Sequence, residues 1–542
     1  MFGQTGNPLS RFYKLGAGFV RFFRSPRDPR YRDTLQSFLA HRESNFLSVV
    51  QKVLAKTGHP YAQLFGIAGC SYADLEAGVR ENGLESTLEA LLREGVYLSL
   101  DEFRGKAEIV RGGRHIAATT ADWDLARGQN AIEATSSGSS GGRTFRTSHG
   151  LEVANLGLAS ARLFLGEVMR RDAAIVTVAP ILPSTLGLLS CIGSIRLGYR
   201  DEKWFAFGGS LLANGHYRAI TSVIVSALRA AGAKVPYPTY LTKDDFSPAA
   251  EYVAARKKQG VPIALHGMVS AAARVAGAAI VRGLDVRGTV AVVTGETLTD
   301  SKRELIESAG IEVFPIYTTS DFGQIGVPCH EMNSGDCVHI AMPSVALVAR
   351  PAPSLWGDGE LLNSLHVTSV LPFAPRVLIN VEMGDTGIIE LATCDCEFSR
   401  LGSKLRVRDI AAIGKLTTQG CTLYAPEMIR LLEEELPARF GGRAGDYQLM
   451  EVEGRGQSEL VLGIHPRLGT LSSNEVLEYF MVRFRKVYGG ALASLQWTES
   501  NGIRAEIKEP FLPQSGKFRA VRLLSSPAAA AKAASQTAAT QS

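Results

Sequence analysis

The segment "TVAVVTGETLTDSKRELIESAGIEVFPIY" (residues 289–317) contains the pattern that decides the fold. Short runs of β-branched and apolar residues stand at its two ends, and a stretch with apolar residues at three- and four-residue spacing lies between them. This succession predicts a strand, a helix and a second strand that runs parallel to the first. The segment therefore favours an α/β fold, with helices packed on the faces of a parallel or mixed sheet.

The same alternation extends from residue 173 to about residue 390, and a second unit of helices and strands begins near residue 410. Residues 1–130 have the apolar spacing of helices. The chain has 542 residues, which is too long for one hydrophobic core. We predict an α/β protein with a large N-terminal domain and a small, mobile C-terminal α+β domain. The predicted boundaries are 1–130 (helical part of the large domain), 131–410 (α/β core), 411–525 (C-terminal lid) and 526–542 (disordered tail).

Composition excludes several classes of function. Hydrophobic residues make up 45% and charged residues 20% of the chain, as in ordinary soluble proteins. The net charge of +5 is compatible with anionic ligands but too small for a nucleic-acid-binding surface. Seven cysteines without a signal peptide argue against a disulfide framework and predict a reducing cytoplasm. Because Pro180 and Pro183 interrupt the most apolar run, we predict no transmembrane segment.

The N-terminal stretch "RFYKLGAGFVRFFRSPRDPRYR" (residues 11–32) mixes aromatic residues with arginines. One interpretation is a helix that packs on the domain and leaves its arginines in solvent. The other is an interfacial helix that makes a weak peripheral contact with anionic lipid. We favour the packed helix, because the stretch is short and contains Gly16 and Gly18.

The stretch "TSSGSSGGR" (residues 135–143) is rich in glycine and serine, as flexible linkers are. However, a helix-like segment follows it closely, and a loop of small residues before a helix can bring backbone N–H groups against a phosphate. The stretch is not a Walker loop, because no Gly-Lys-Ser/Thr follows it. From these residues alone, the linker and the phosphate-binding loop both remain open.

Five stretches, in this order along the chain, resemble motifs of adenylate-forming enzymes, in the branch of phenylacetate–coenzyme A ligases and acyl-protein synthetases. They are "SSGSSGGRT" (136–144), "VVTGETLTD" (292–300), "VFPIYTTSDFGQIG" (313–326), "LPFAPRVLINVEMGDTG" (371–387) and "LPQSGKFRAVR" (512–522). The resemblance implies a fold with a large adenylate-forming domain and a mobile lid. It also implies ATP and Mg²⁺ as cofactors.

The resemblance implies a role for each matching residue. The β/γ-phosphates of ATP are expected to lie against the first motif, at Ser136, Ser137, Gly138, Ser139, Ser140 and Gly141. Adenine and ribose are expected to contact Gly295, Glu296, Tyr317, Thr318, Thr319, Ser320, Asp385 and Arg408. Asp321 is expected to hold Mg²⁺, and Lys517 to be the catalytic lysine that the lid delivers. The hinge of the lid is expected at Asp409 or Lys415.

Four cysteines and two histidines lie in the stretches "PCHEMNSGDCVH" (328–339) and "TCDCEF" (393–398). Thiolates and imidazoles in such spacing can form a tetrahedral zinc site. By the resemblance, Cys329, His339, Cys394 and Cys396 are the expected ligands, with His330 and Cys337 as spares. The alternative is that these cysteines are small buried apolar residues.

The predicted activity is that of an ATP-dependent acid–thiol ligase, which forms an acyl-adenylate and transfers the acyl group to a thiol, most readily coenzyme A. The segments expected to line the acid pocket are 179–190, 265–270 and "IYTTSDFG" (316–323). They are small and apolar, so an aromatic or fatty acid fits best. Two alternatives remain: an acyl-protein synthetase that serves a carrier protein or a reductase, and a non-catalytic nucleotide-binding member. We predict no nucleic-acid partner, and a homodimer stays open.

Overall fold

The computed structural model describes residues 8–125, 131–135, 146–207, 211–242, 245–319, 322–331, 336–353, 361–374, 376–412, 415–418, 421–443, 445–454, 457–485, 497, 502–510 and 521–522.

Helices make up most of residues 8–125, as the apolar spacing predicts. They are α1 (Pro8–Arg24), α2 (Tyr31–Ala40), α3 (Arg42–Leu54), α4 (Pro60–Ile67), α5 (Tyr72–Asn82), α6 (Leu84–Arg93) and α7 (Leu100–Phe103). The prediction of helix throughout this part is wrong at one place, where β1 (Ile109–Arg111) pairs with β2 (Arg114–Ile116). Gly112 and Gly113 both have positive φ, 53° and 74°, which suits a two-residue hairpin turn.

A short hairpin and a six-stranded parallel sheet follow. The hairpin is β3 (Ala131–Thr135) and β4 (Arg146–Gly150). The sheet contains β5 (Ala174–Val178), β6 (Arg200–Ala206), β7 (Pro238–Tyr240), β8 (Ile263–Met268), β9 (Thr289–Thr294) and β10 (Ile311–Pro315). The helices of this part are α8 (Leu151–Val168), α9 (Leu186–Leu197), α10 (Leu211–Ala230), α11 (Ser247–Lys258), α12 (Val269–Val281) and α13 (Asp300–Ser308).

The strand order of the parallel sheet is β10-β9-β8-β5-β6-β7. The chain therefore starts in the middle with β5, builds outward through β6 and β7, and then returns to place β8 on the other side of β5. This reversal is a topological switch point. In open parallel sheets, ligands bind in the crevice outside the carboxyl ends of the strands at such a point.

A second sheet has seven strands in the order β11-β12-β13-β17-β16-β15-β14, and all its pairs are antiparallel. Its strands are β11 (Tyr317–Thr319), β12 (Gly323–Val327), β13 (Val338–Ile340), β14 (Val345–Pro353), β15 (Leu361–Ser369), β16 (Val381–Leu391) and β17 (Leu405–Ala412). The short helix α14 (Glu397–Arg400) precedes β17. Apolar residues of α3 to α6 pack on this sheet in one core.

The C-terminal part has its own sheet and its own core. A hairpin of β18 (Lys415–Thr418) and β19 (Cys421–Tyr424) leads into α15 (Ala425–Arg430), a π-helical turn (Leu431–Glu435) and α16 (Leu436–Phe440). The sheet, in the order β22-β21-β20-β23, contains β20 (Tyr447–Gly454), β21 (Gln457–Ile464), β22 (Ile503–Ile507) and β23 (Val521–Arg522). A 3₁₀ turn (Pro466–Leu468) and α17 (Ser473–Phe484) complete it. The predicted fold class, a large α/β part followed by a small α+β part, is confirmed.

The packing of α1 favours the first of the two interpretations of the N-terminal stretch. Phe19 and Phe22 are buried in a core that they share with α9 and α10. The guanidinium of Arg196 on α9 donates hydrogen bonds to the carbonyl oxygens of Phe22, Ser25 (3.0 Å) and Pro26 (3.1 Å) at the end of α1. Such contacts satisfy carbonyl groups that a helix C-terminus leaves without partners. The apolar face of α1 is thus occupied by the protein itself.

Among the described residues, no helix combines the length and apolar character that a membrane span requires.

Candidate active site

The segment predicted to bind phosphates lies between the paired strands β3 and β4. Thr135 at the end of β3 is paired with Arg146 at the start of β4, so the two ends of the intervening segment are held together. Gly150, the last residue of β4, is also the residue before α8. The two ends of the segment are therefore paired with each other, whereas a linker would separate its ends; the 18-residue helix α8 begins at the other end of β4.

The residues expected within that loop, Ser136, Ser137, Gly138, Ser139, Ser140 and Gly141, lie outside the described residues, as do Ser320, Asp321 and Lys517. Their roles stay predictions.

Gly295 and Glu296 follow β9 at the carboxyl edge of the parallel sheet. Gly295 has φ of +84°, a conformation that glycine adopts at little cost. The Glu296 carboxylate accepts hydrogen bonds from the backbone N–H of Ser270 (2.7 Å) and from its hydroxyl (2.9 Å). Ser270 lies in the first turn of α12, where a negative charge is favourable. Glu296 therefore fixes the loop after β9 onto the helix that follows β8.

Tyr317 and Asp385 are brought into direct contact. The Tyr317 hydroxyl donates a hydrogen bond of 2.8 Å to Oδ2 of Asp385. Burial and the adjacent carboxylate raise the pKa of Tyr317 well above its usual value, so the phenol keeps its proton. The aromatic residue of one predicted motif and the acidic residue of another thus lie side by side.

Threonine side chains make hydrogen bonds around β11. The hydroxyls of Thr318 and Thr294 are 2.8 Å apart, and Thr294 also donates to the carbonyl oxygen of Ile316 (2.9 Å). The hydroxyl of Thr319 accepts a hydrogen bond from the backbone N–H of Phe322 (3.1 Å). The ends of β9 and β11 are therefore joined by side chains as well as by the chain.

Arg408 is engaged by carboxylates. Its Nε lies 3.2 Å from Glu390, and its Nη1 contacts Asp409. The hydrogen bond to Glu390, the largest effect, raises the pKa of Arg408. A contact between Arg408 and a nucleotide would have to compete with these two partners. Asp409, one of the two expected hinge residues, has φ of +54°, which is uncommon for a residue other than glycine.

The four residues expected to bind zinc converge. The ligand atoms of Cys329, His339, Cys394 and Cys396 all lie within 4.8 Å of one another. Nε2 of His339 is 3.2 Å from the sulfur of Cys394 and 3.1 Å from that of Cys396. Its Nδ1 donates to the carbonyl oxygen of Ser403 (3.1 Å), which leaves the lone pair of Nε2 directed at the sulfurs. We call these four residues the Cys/His cluster.

The two spare residues lie apart from this cluster. Cys337 is buried, and burial raises its pKa to about 11, as expected for an inert thiol. Nδ1 of His330 is 3.2 Å from Glu167. Within the Cys/His cluster, by contrast, a hydrogen bond from Cys329 lowers the pKa of Cys396. Of the six candidate ligands, the geometry thus brings four together and leaves His330 and Cys337 apart.

Three further residues of the site were not predicted: Ser270, Thr294 and Asp336. Asp336 is buried, accepts a hydrogen bond from the backbone N–H of Ile410 (3.1 Å) and has its pKa raised to about 7, chiefly by burial. Ser270 and Thr294 lie within stretches that were singled out. Their side-chain partners are distant in sequence, and no spacing pattern indicates them.

No family model and no curated protein matches the chain. Among solved structures, a 2-hydroxyisobutyryl-CoA ligase in the postadenylation state is 14% identical, with 89% of this chain and 88% of that chain covered and a TM-score of 0.44. A malonyl-CoA ligase with methylmalonyl-CoA and AMP bound is 14% identical, with 70% and 71% covered and a TM-score of 0.39. An acyl-CoA synthetase from Brucella canis is 14% identical, with 86% of each chain covered and a TM-score of 0.29.

These structures are of the superfamily that the five motifs resemble. At such identities and TM-scores the likeness does not assign an activity, and we therefore base the function on the residues of the site.

Proposed function

We propose that this protein activates a carboxylic acid with ATP and transfers the acyl group to a thiol, most readily that of coenzyme A. The observation that supports this most directly is the contact between Tyr317 and Asp385. A protonated phenol ring beside a carboxylate suits a nucleoside, because the ring can stack on the base while the carboxylate accepts hydrogen bonds from ribose hydroxyls.

We assign the phosphates of ATP to the segment between Thr135 and Arg146, which is rich in glycine and serine and whose two ends are paired in a hairpin. In this proposal its small residues let backbone N–H groups approach the β- and γ-phosphates. Glu296, held by Ser270, fixes the loop after β9 against which the base lies.

The reaction has two steps. A carboxylate oxygen of the acid attacks the α-phosphorus of ATP, and the bond to pyrophosphate breaks, which leaves an acyl-adenylate. The sulfur of the thiol then attacks the acyl carbon, the thiol proton passes to solvent, and AMP leaves. Both attacking and leaving groups of the first step are anions, so cationic groups must stabilise its transition state. We assign this role to Lys517. Mg²⁺, with Asp321 as a ligand, would neutralise charge on the phosphates when bound.

The acid is proposed to bind at the switch point between β5 and β8. Of the predicted pocket segments, residues 179–190 follow β5, and residues 265–270 cover the end of β8 and the start of α12. The backbone is crowded here, since a Cβ on Gly267 would overlap the carbonyl oxygen of Val178. The predicted pocket segments are largely apolar in sequence, which supports an aromatic or aliphatic acid.

We further propose that the Cys/His cluster holds a structural zinc ion. Three thiols and one imidazole match the donor set of closed, four-coordinate zinc sites. The cluster joins the end of β12, β13 and the segment between β16 and α14, so a bound metal would crosslink three parts of the chain.

A pyrophosphate-release assay against a panel of carboxylic acids tests the proposal. ATP with at least one acid should release pyrophosphate, and added coenzyme A should yield a thioester and AMP. Release with an acid but no thioester would favour transfer to a carrier protein or a partner cysteine. A nucleotide-binding protein that releases no pyrophosphate with any acid would be a non-catalytic member.

A further inference from the structure

His266 lies at the switch point, where the proposed acid pocket begins. On β8 it is in register with Thr177 of β5 and Val292 of β9. Side chains on a strand alternate between faces, so His266 shares a face with Ala264, two residues earlier. Ala264 and Val292 belong to the core that α8 covers. His266 therefore points to the α8 side of the sheet, near its carboxyl edge.

The imidazole has no protein partner in the described part of the chain. Burial alone accounts for its lowered pKa of about 4, without a contribution from any hydrogen bond or charge. The hydroxyl of Thr177, its neighbour in register, is already bonded to Asp201 at 2.9 Å. Buried polar groups in proteins are normally hydrogen-bonded, and no described residue takes this role for His266.

His266 is nevertheless not sealed from solvent. The residue is only half-buried, and neither ring nitrogen is among the inaccessible polar atoms that lack a partner. A half-buried imidazole at the carboxyl edge of the sheet, with no described residue bonded to its nitrogens, can be reached by a molecule that binds at the switch point. We take such a molecule to be the partner of these nitrogens.

The chemistry of the imidazole selects the class of that molecule. At neutral pH the ring is uncharged, with one nitrogen as donor and the other as acceptor. A second carboxylate or an ammonium group would enter an apolar crevice without an opposite charge, which is unfavourable. A hydroxyl group can accept from one nitrogen or donate to the other, and it carries no charge.

We propose that His266 is a specificity-determining residue that hydrogen-bonds a hydroxyl group of the acid, so that the substrate is a hydroxy acid. This inference rests on the proposed function, because it assigns the crevice at the switch point to the acid. It also refines the sequence-based expectation of an aromatic or fatty acid, since the acid then has an otherwise apolar body and one uncharged polar group.

The test compares matched acids that differ only by one hydroxyl group, for example butyrate with its 2-, 3- and 4-hydroxy derivatives and benzoate with its hydroxybenzoates. For the wild-type chain, kcat/KM for pyrophosphate release should favour one hydroxy acid over its parent by about 10- to 100-fold, the effect of one such hydrogen bond. In His266→Leu the ratio should fall to about one. In His266→Gln, which keeps a donor and an acceptor, a preference should persist.

Two readouts separate the possible failures. ATP affinity, measured by calorimetry, should be the same in both variants, which shows that the nucleotide site is intact. Calorimetry with each acid in the presence of a non-hydrolysable ATP analogue measures the preference without chemistry. If no acid releases pyrophosphate, the proposed function is wrong, and the calorimetric ratio still tests His266. Equal use of both members of every pair, or a ratio unchanged in His266→Leu, would overturn the inference.

Discussion

The hydroxyl of Tyr317 donates a 2.8 Å hydrogen bond to Asp385 across three intervening strands of the seven-stranded sheet. Tyr317 belongs to β11 at one edge of that sheet, and Asp385 belongs to β16. The strands β12, β13 and β17 lie between them. The two side chains can meet only because the sheet curls. This curvature turns two separate motifs into one wall of the proposed nucleotide site.

Substitutions at this pair should weaken ATP binding to different extents. Asp385→Ala removes the carboxylate that is proposed to accept hydrogen bonds from the ribose hydroxyls, and a hydrogen bond to a charged group contributes about 1.5–3 kcal/mol. We expect a loss in ATP affinity of about 10- to 100-fold by calorimetry. Tyr317→Phe keeps the ring and removes only the hydroxyl, so its loss should be smaller, about fivefold or less. A larger effect of Tyr317→Phe than of Asp385→Ala would contradict the assigned roles.

Lys517 should separate the two half-reactions. If the lid brings it to the α-phosphate in one pose only, Lys517→Ala should reduce acid-dependent pyrophosphate release by about 100- to 1000-fold. Conversion of a supplied acyl-adenylate to thioester should continue at a nearly normal rate, because that step uses the other pose. Single-turnover assays of each half-reaction check this. Equal damage to both steps would indicate misfolding, and unchanged adenylation would remove Lys517 from the site.

The Cys/His cluster should retain zinc through purification without added metal. Elemental analysis should find about one zinc per chain, and Cys394→Ser with Cys396→Ser should lose both the metal and several degrees of thermal stability, because metal-binding energy is also folding energy. Cys70→Ser, at a half-exposed cysteine outside the cluster, is the matched control and should keep both. A metal-free wild-type protein of undiminished stability would end the zinc proposal.

Asp201 should make the protein less stable as the pH rises. Burial raises its pKa from 3.8 to about 7, and Thr177 is a neutral partner. The folded state therefore holds a proton that the unfolded state has lost between about pH 4 and pH 7, so stability falls across that interval. The total loss is up to about 4 kcal/mol. Above pH 7 both states are ionised and the loss is constant.

The variant Asp201→Asn, which still accepts from Thr177, tests this. Its free energy of unfolding in urea should exceed that of the wild type at pH 8 and approach it at pH 4. Asp172→Asn, at an exposed carboxylate paired with Arg170, serves as the control and should leave the pH dependence unchanged. The same wild-type pH dependence in Asp201→Asn would show that Asp201 is not its source.

Local sequence patterns are sufficient for most of the elements of this fold. The β-branched runs at 174–178, 289–294 and 311–315 are strands, because such residues pack well in a buried parallel sheet. The stretch at 300–308 between two of them is a helix, because the apolar residues in and next to it recur at three- and four-residue spacing. The hairpin at Gly112–Gly113 was missed, because its two strands have only three residues each and leave almost no periodic signal.

Contacts between distant residues are not encoded in any local pattern. Nothing in the spacing of Ser270 and Glu296 indicates that Ser270 donates hydrogen bonds to the Glu296 carboxylate. The switch point between β5 and β8 depends on which strands pair, and this follows from the packing of whole faces. The role proposed for His266 likewise rests on the absence of a hydrogen-bond partner among the described residues, which only the folded chain shows.

Arg196, which donates hydrogen bonds to the carbonyl oxygens at the end of α1, is synthesised long after that helix. The helix ends at Arg24, and the residue that satisfies its last carbonyls is synthesised 172 positions later. At 5–20 residues per second, this interval lasts roughly 10 to 35 seconds. During that time the nascent chain lacks parts of α9 and all of α10, the helices with which Phe19 and Phe22 share a core in the folded protein. A ribosome-bound chaperone, or an early-folding fragment that shields this face, should therefore matter more for the yield of this protein than for its final stability.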